Sequence, residues 1–99
     1  MSPAGVEKAK NVTVRYWAAA RAAAGVEQDV VELPPGGSTT LAAVLDEAVS
    51  RRPGDRRFAD VVAICSVLVG EVPVGARPYG DVVLGDGDVV ELLPPFAGG

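Results

Sequence analysis

The last residues of the chain suit delivery of a carboxylate into another protein; they read Leu92-Leu93-Pro94-Pro95-Phe96-Ala97-Gly98-Gly99. The two prolines stiffen the exit from the preceding element, and Phe96 offers one apolar anchor. Because glycine has no Cβ to clash with channel walls, Gly98 and Gly99 can thread a narrow tunnel. We therefore expect the Gly99 carboxylate to reach a buried site in a partner and to be activated there. The alternative is a frayed tail, which the adjoining Pro-Pro-Phe segment disfavours.

Side-chain catalysis has few candidates in this chain, which contains no histidine and one cysteine. Without imidazole there is no Ser-His-Asp triad, no Cys-His pair and no ordinary histidine metal site. Because Cys65 is the only cysteine, an internal disulfide, a four-thiolate zinc site and a cysteine-held iron–sulfur cluster are excluded. Its apolar neighbours predict a buried, inert thiol within a strand. We expect neither a metal site nor a catalytic side chain.

Two further segments resemble ligand loops. Gly36-Gly37-Ser38-Thr39-Thr40 precedes a predicted helix, where free N–H groups could bind an anion, but the lysine of a phosphate loop is missing. A turn followed by a helix cap at Ser38 or Thr39 is the favoured interpretation. Asp86 and Asp88 could begin a calcium loop, yet the other oxygen ligands are absent, so a tight turn is predicted.

The charge balance argues against nucleic acid as a partner, because 13 acidic residues against 9 basic ones give a net charge of −4. The clustered arginines are interpreted as a solvated helix end and loop, or as a docking patch for an acidic surface; they are Arg51, Arg52, Arg56 and Arg57. Beyond Arg77 the chain carries only acidic charges, which could steer this end toward a basic cleft; they are Asp81, Asp86, Asp88 and Glu91.

The size of the chain, 99 residues with 48% hydrophobic content, fits one compact domain. We expect a flexible N-terminal tail over 1–10, a folded domain over 11–95 and a flexible Gly-Gly tail over 96–99. No apolar run is long enough for a signal sequence or a membrane span, so we expect a soluble cytoplasmic protein with no membrane partner.

Trp17 is the side chain most suggestive of an interface. Val12, Val14 and Tyr16 alternate with polar residues, which predicts a strand with these three on its core face and Trp17 on the other. A large exposed aromatic ring often marks an interface. The alternative is that the following alanine-rich segment covers the ring.

The remaining elements follow from periodicity and turn residues. Alanines before Gly25 predict a short helix over 18–24 capped by that glycine. Next come a strand over 29–33 and a helix ended by Pro53-Gly54, with an apolar stripe at Leu41, Val44, Leu45, Ala48 and Val49. A polar connection over 56–60, with at most a helical turn, leads to a strand in the second half of 61–69. Short extended pieces over 72–74 and 82–84 precede the final strand, 89–93.

This element order fits an α+β fold in which one mixed sheet carries its helices mainly on one face. The economical arrangement places the first and last strands at the centre, as in the β-grasp fold. The strand order comes from analogy.

Over most of residues 11–99, the sequence resembles the molybdopterin synthase small subunits of the ubiquitin-like sulfur-carrier family. Two segments carry the resemblance. The run from Val12 to Arg21 is similar to the family's opening strand, aromatic pair and Ala/Arg helix, and the run from Gly85 to Gly99 is similar to its ending.

The resemblance implies that a ubiquitin-activating-type adenylyltransferase uses ATP to adenylate Gly99, and that a sulfur donor protein then supplies sulfur for a thiocarboxylate. It implies no bound cofactor, and a catalytic pocket on the large synthase subunit. Trp17 and Leu93 would contact partners, while Phe96, Ala97 and Gly98 would lie in the inserted tail.

Other members of the same fold keep alternatives open. Sulfur carriers for thiamine or cysteine synthesis share the Gly-Gly end, a protein modifier would use adenylation without sulfur, and an interaction module would have an inert tail. Relatives often carry an asparagine in the strand–turn segment where this chain reads Leu68-Val69-Gly70-Glu71.

Overall fold

The computed structural model describes residues 10–95, so residues 1–9 and 96–99 of the predicted tails lie outside it. The elements in chain order are β1 (Asn11–Tyr16), α1 (Ala18–Ala24), β2 (Gln28–Glu32), β3 (Ser38–Thr40), α2 (Leu41–Ser50), α3 (Arg56–Ile64), β4 (Ser66–Val69), β5 (Val72–Pro73), β6 (Val83–Gly85) and β7 (Val89–Leu93), with a single 3-10 turn at Tyr79–Asp81 before β6. None of the helices within these residues has the length and apolar character needed to cross a membrane.

The sheet is mixed, and its strand order is β2-β1-β7-β4-β5. β1 and β7 run parallel at the centre, and the other neighbouring strands pair antiparallel. β3 and β6 form a separate two-stranded sheet. The predicted α+β arrangement with the first and last strands at the centre is therefore confirmed.

The core lies between the five-stranded sheet and the helices. Val12, Val14 and Tyr16 of β1 are at most 1% exposed, as their alternation predicts. The α2 stripe is also confirmed, because Leu41, Val44, Leu45 and Ala48 are buried and Val49 packs at the edge of the core. Apolar burial of this kind supplies the main driving force for the fold.

The structure corrects the predicted connection over 56–60, which belongs to a full helix. Asp55 caps α3, with its side chain accepting a hydrogen bond from the Phe58 N–H at 2.9 Å. Phe58 and Val62, one helical turn apart, are both buried. The apolar segment from Val61 therefore begins as helix, and β4 at Ser66–Val69 confirms the strand predicted in the second half of 61–69.

Cys65 lies at the end of α3 and not within a strand, which corrects its predicted location. Its burial agrees with the prediction, since 7% of the residue is exposed. Burial raises the pKa of the Cys65 thiol, which keeps it in the unreactive protonated form at neutral pH.

The segment before α2 forms a turn and then a strand. Gly36 and Gly37 have φ values of 103° and 79°, a left-handed backbone that favours glycine. Ser38 and Thr39 pair with β6, so neither caps the helix. The cap is Thr40, whose Oγ1 accepts a hydrogen bond from the Ala43 N–H at 3.1 Å.

Asp86 and Asp88 stabilise a tight turn, as predicted. An Asp86 carboxylate oxygen accepts a hydrogen bond from the Asn11 backbone N–H at 2.8 Å. An Asp88 carboxylate oxygen accepts one from the Gly85 N–H, also at 2.8 Å. The first bond holds the β6–β7 turn against the start of β1, and the second closes the turn itself.

Candidate docking surface at the tail exit

The parallel pairing of β1 with β7 brings Trp17 and Leu93 to the same edge and face of the sheet. Tyr16 is the register partner of Leu92, and the Trp17 N–H donates to the Leu92 carbonyl at 3.3 Å. Since Tyr16 and Leu92 point into the core, the next residue on each strand belongs to the opposite face. Trp17 and Leu93 are each 36% exposed.

Pro94 and Pro95 continue directly from this edge, and Pro95 is exposed. We call Trp17, Leu93, Pro94 and Pro95 the tail-exit surface. The residues assigned by resemblance to the inserted tail, Phe96, Ala97, Gly98 and Gly99, follow it and lie outside the described residues.

The Trp17 ring has defined polar neighbours. Its Nε1–H donates a hydrogen bond to Glu91 Oε2 at 3.3 Å. The guanidinium groups of Arg15 and Arg21 lie 5.5 and 6.0 Å from the ring centroid, within the range of a cation–π contact. The ring therefore lies outside the core, as the alternation of β1 predicts, and the residue is 36% exposed.

The backbone of Trp17 is fixed by the start of α1. Its carbonyl accepts hydrogen bonds from the N–H groups of Ala20 and Arg21, at 2.9 and 3.3 Å. Ala18 has a φ of 49°, which turns the chain sharply from β1 into the helix. Gly25 ends α1 in the predicted left-handed conformation, with a φ of 81°.

The acidic residues near the C-terminus are not gathered at the tail exit, because of the four only Glu91 lies on β7. Asp86 and Asp88 precede β7, so roughly 15 Å of strand separates them from Leu93. Of the charged side chains placed near Trp17, one is acidic, Glu91, and two are basic, Arg15 and Arg21. The charge at the exit is therefore mixed.

The arginine cluster is not simply a solvated helix end, which corrects that interpretation. The Arg52 side chain is 15% exposed and donates two hydrogen bonds to Asp29, at 2.8 and 3.2 Å. It also donates to the carbonyls of Ala48 and Ala24, at 3.0 and 3.2 Å. Its guanidinium lies 4.4 Å from the Phe58 ring centroid.

Asp29 joins Arg52 to the strand face. Its carboxylate accepts a hydrogen bond from the Tyr16 hydroxyl at 2.6 Å. Burial acts to raise the pKa of Asp29, but the hydrogen bonds from Arg52 and Tyr16 outweigh it and hold the pKa below its ordinary value. Burial and the bond to Asp29 raise the pKa of Tyr16. We call Tyr16, Asp29 and Arg52 the Arg52 clasp.

Sequence reasoning missed the clasp because Asp29 and Arg52 are 23 positions apart. The sequence showed only that Arg52 follows the end of a predicted helix. An arginine there is equally explained by its favourable interaction with the helix dipole. The clasp lies beside an open concavity of about 610 Å³, bordered by Val49, Pro53 and Arg56.

The sequence and fold have clear relatives. The model of the ThiS family matches residues 14–99. The molybdopterin synthase sulfur carrier subunit of Chlamydomonas reinhardtii is 31% identical over 88 residues, which cover 89% of this chain and 98% of that protein.

Solved structures with the same fold include the putative molybdopterin converting factor subunit 1 of Pyrococcus furiosus. It has a TM-score of 0.68 and 29% identity over 88% of this chain and 99% of that one. SAMP1 from Haloferax volcanii has a TM-score of 0.72 and 22% identity, over 90% and 99% of the two chains.

A chain in the complex of subunits 1 and 2 of molybdopterin-converting factor from Helicobacter pylori has a TM-score of 0.60. Its identity is 20%, over 90% of this chain and 99% of that one. The match of the family model over most of the sequence, together with the algal relative, shows that this chain belongs to the ThiS family and has its ubiquitin-like β-grasp fold.

Proposed function

We propose that this protein is the sulfur carrier subunit of a molybdopterin synthase, with Gly99 as the residue that carries sulfur. The structural observation that supports the proposal is the parallel pairing of β1 with β7. It places two exposed apolar side chains, Trp17 and Leu93, where the chain leaves the sheet toward Gly99. The algal sulfur carrier subunit, 31% identical, supports the assignment of the pathway.

The proposed chemistry needs no catalytic side chain from this protein. A carboxylate is a poor acyl donor until adenylation gives it a good leaving group. A ubiquitin-activating-type enzyme would join the Gly99 carboxylate to AMP from ATP, with release of pyrophosphate. Sulfide-level sulfur supplied by a donor protein would then attack the acyl carbon, break its bond to AMP and leave a thiocarboxylate. We place this reaction in the cytoplasm.

The role of the folded domain is to dock and to present the tail. Trp17 and Leu93 would contact the large synthase subunit, and Phe96, Ala97 and Gly98 would follow Gly99 into its pocket. The Helicobacter pylori neighbour comes from a complex of subunits 1 and 2, which supports a two-subunit arrangement. Burial of an aromatic ring at the centre of such an interface contributes about 2 to 4 kcal/mol to docking.

Intact mass spectrometry tests the carrier chemistry. The protein is incubated with the cognate activating enzyme, ATP and a sulfur donor, beside a variant that lacks Gly99. We expect one oxygen to be replaced by one sulfur in the full chain alone. No change in the presence of an enzyme of demonstrated activity would contradict the carrier role and favour an inert interaction module. Covalent attachment to lysines of other proteins would favour a modifier.

A second experiment tests the acceptor. The thiocarboxylated protein is mixed with the large subunit and cyclic pyranopterin monophosphate, and dithiolene formation is measured. Formation of molybdopterin with loss of the protein's sulfur would support the pathway. Sulfur transfer only to a thiamine or cysteine synthesis enzyme would contradict it while leaving the carrier chemistry in place.

A further inference from the structure

We propose that Glu91 is a positioning residue that holds the Trp17 indole in the orientation used for docking. This inference rests on the proposed function, because it takes Trp17 as a partner contact. The observation behind it is the hydrogen bond from Trp17 Nε1 to Glu91 Oε2, 3.3 Å long. Indole has a single N–H donor, so this bond selects one rotation of the ring.

The sheet register explains why Glu91 can reach the ring. Glu91 is the register partner of Arg15 on β1. Arg15 precedes Trp17 by two positions and lies on the same face. On its other side, Glu91 faces Leu68 of β4. Glu91 therefore lies at the centre of the exposed sheet face, between the two strands that pair with β7. From there it acts on Trp17 across the parallel β1–β7 pair.

Two cations complete the surroundings of the ring. Arg15 comes from β1 and Arg21 from α1, with guanidinium carbons 5.5 and 6.0 Å from the ring centroid. The Glu91 carboxylate accepts the hydrogen bond at the indole edge, while the two guanidinium groups lie over the ring. Three charged groups from three elements thus surround one exposed aromatic side chain.

The arrangement matters for binding because an exposed side chain that is free to rotate loses that freedom when a partner covers it. A ring already held in place loses less, so the complex forms with less entropic opposition. The Glu91 bond would therefore strengthen docking without touching the partner.

Tryptophan fluorescence measures the positioning in the free protein, since Trp17 is the only tryptophan. Glu91→Ala should lower the anisotropy of the emission and increase quenching by acrylamide, with an unchanged melting temperature. Glu91→Gln, which keeps a carbonyl acceptor, should stay close to the parent protein. Glu32→Ala is the matched control, because Glu32 is an exposed carboxylate of edge strand β2 on the same face. Equal ring mobility in all four proteins would overturn the proposal.

Binding to the cognate molybdopterin synthase large subunit measures the consequence. Glu91→Ala should raise Kd about three- to tenfold, the range expected for ordering one side chain. Glu91→Gln should restore most of the affinity. In a Trp17→Phe background, which lacks the indole N–H, Glu91→Ala should have no further effect. A persistent effect in that background, or an equal loss in Glu91→Gln, would show that Glu91 acts through its own charge and would overturn the proposal.

The two measurements separate this inference from the proposed function. If Trp17→Ala leaves binding unchanged, the assignment of Trp17 as a partner contact fails, whatever the fluorescence shows. If Trp17→Ala abolishes binding while Glu91→Ala changes neither fluorescence nor affinity, the proposed function stands and the positioning role fails.

Discussion

The guanidinium of Arg52 and the carboxylate of Asp29 meet in a two-point contact, with hydrogen bonds of 2.8 and 3.2 Å. The contact joins the end of α2 to β2. Because Arg52 also donates to the carbonyl of Ala24, it holds the last residue of α1, the helix that begins next to Trp17. The Arg52 clasp therefore helps to keep the tail-exit surface in place from the far end of α1.

Replacement of Arg52 by methionine should lower the free energy of unfolding by about 3 kcal/mol, because the largely buried Asp29 carboxylate loses its two-point partner and keeps only a 3.9 Å contact with Arg51. Urea denaturation measures the change. Arg57→Met is the matched control, because Arg57 is exposed on α3 and its replacement should change the free energy of unfolding by less than about 1 kcal/mol. Equal effects of the two variants would contradict a special role for Arg52.

The clasp should also make stability sensitive to acid. The folded-state pKa of Asp29 lies below its ordinary value of 3.8, so the carboxylate stabilises the fold above that pH. This stabilisation is lost as the pH falls from the ordinary value through the lowered one. Unfolding free energies measured between pH 6 and pH 2 should therefore decline more steeply for the parent than for Asp29→Asn. Parallel curves would show that Asp29 is not linked to folding.

The β4–β5 hairpin contains a residue whose type does not suit its backbone. Its two-residue turn has φ values of 57° at Gly70 and 72° at Glu71. Both are left-handed conformations, which suit glycine but are unfavourable for a residue with a side chain such as Glu71. Glu71→Asn should stabilise the protein by about 0.5 kcal/mol and Glu71→Gly by a similar amount, whereas Glu71→Val should destabilise it by about 1 kcal/mol. Thermal and urea unfolding provide the comparison.

Glu32→Asn serves as the control for the turn variants, since Glu32 is exposed on β2 and has an extended backbone. Asparagine suits strands poorly, so this change should not stabilise the protein. A gain as large as that from Glu71→Asn would mean that removal of negative charge, and not relief of the turn, explains the effect.

The helices and strands that could be predicted from the sequence are those whose own side-chain pattern determines their conformation. Alternation identified β1 and placed Trp17 on the outer face, and the stripe from Leu41 to Val49 identified α2. The same local signals were ambiguous over 56–65, where a polar start and an apolar end resembled a loop followed by a strand. The Asp55 cap was the overlooked evidence for α3. The pairing of Ser38–Thr40 with β6 was not predictable, because its register depends on a strand more than forty positions away.

The residues of the candidate site also divide into those that the sequence indicated and those that only the fold revealed. The alternation of β1 identified Trp17 and resemblance added Leu93, and the parallel register then explained why they adjoin. Glu91 was noted only as one acidic residue among several, since its bond to Trp17 crosses 74 positions. Side-chain contacts of this kind depend on the strand order, which could be predicted only by analogy with the β-grasp fold.

Truncation of Trp17 to alanine should weaken docking and spare the fold. The residue is 36% exposed and its backbone is held by α1 and β7, so the melting temperature should change little. Loss of the ring should reduce the free energy of binding to the large subunit by about 2 to 4 kcal/mol, as measured by calorimetry. Val83→Ala is the control, because Val83 is a more exposed apolar residue, 69%, on the separate β3–β6 sheet. An equal loss of affinity in both variants would place the interface elsewhere, and unfolding of Trp17→Ala would assign the ring to the core.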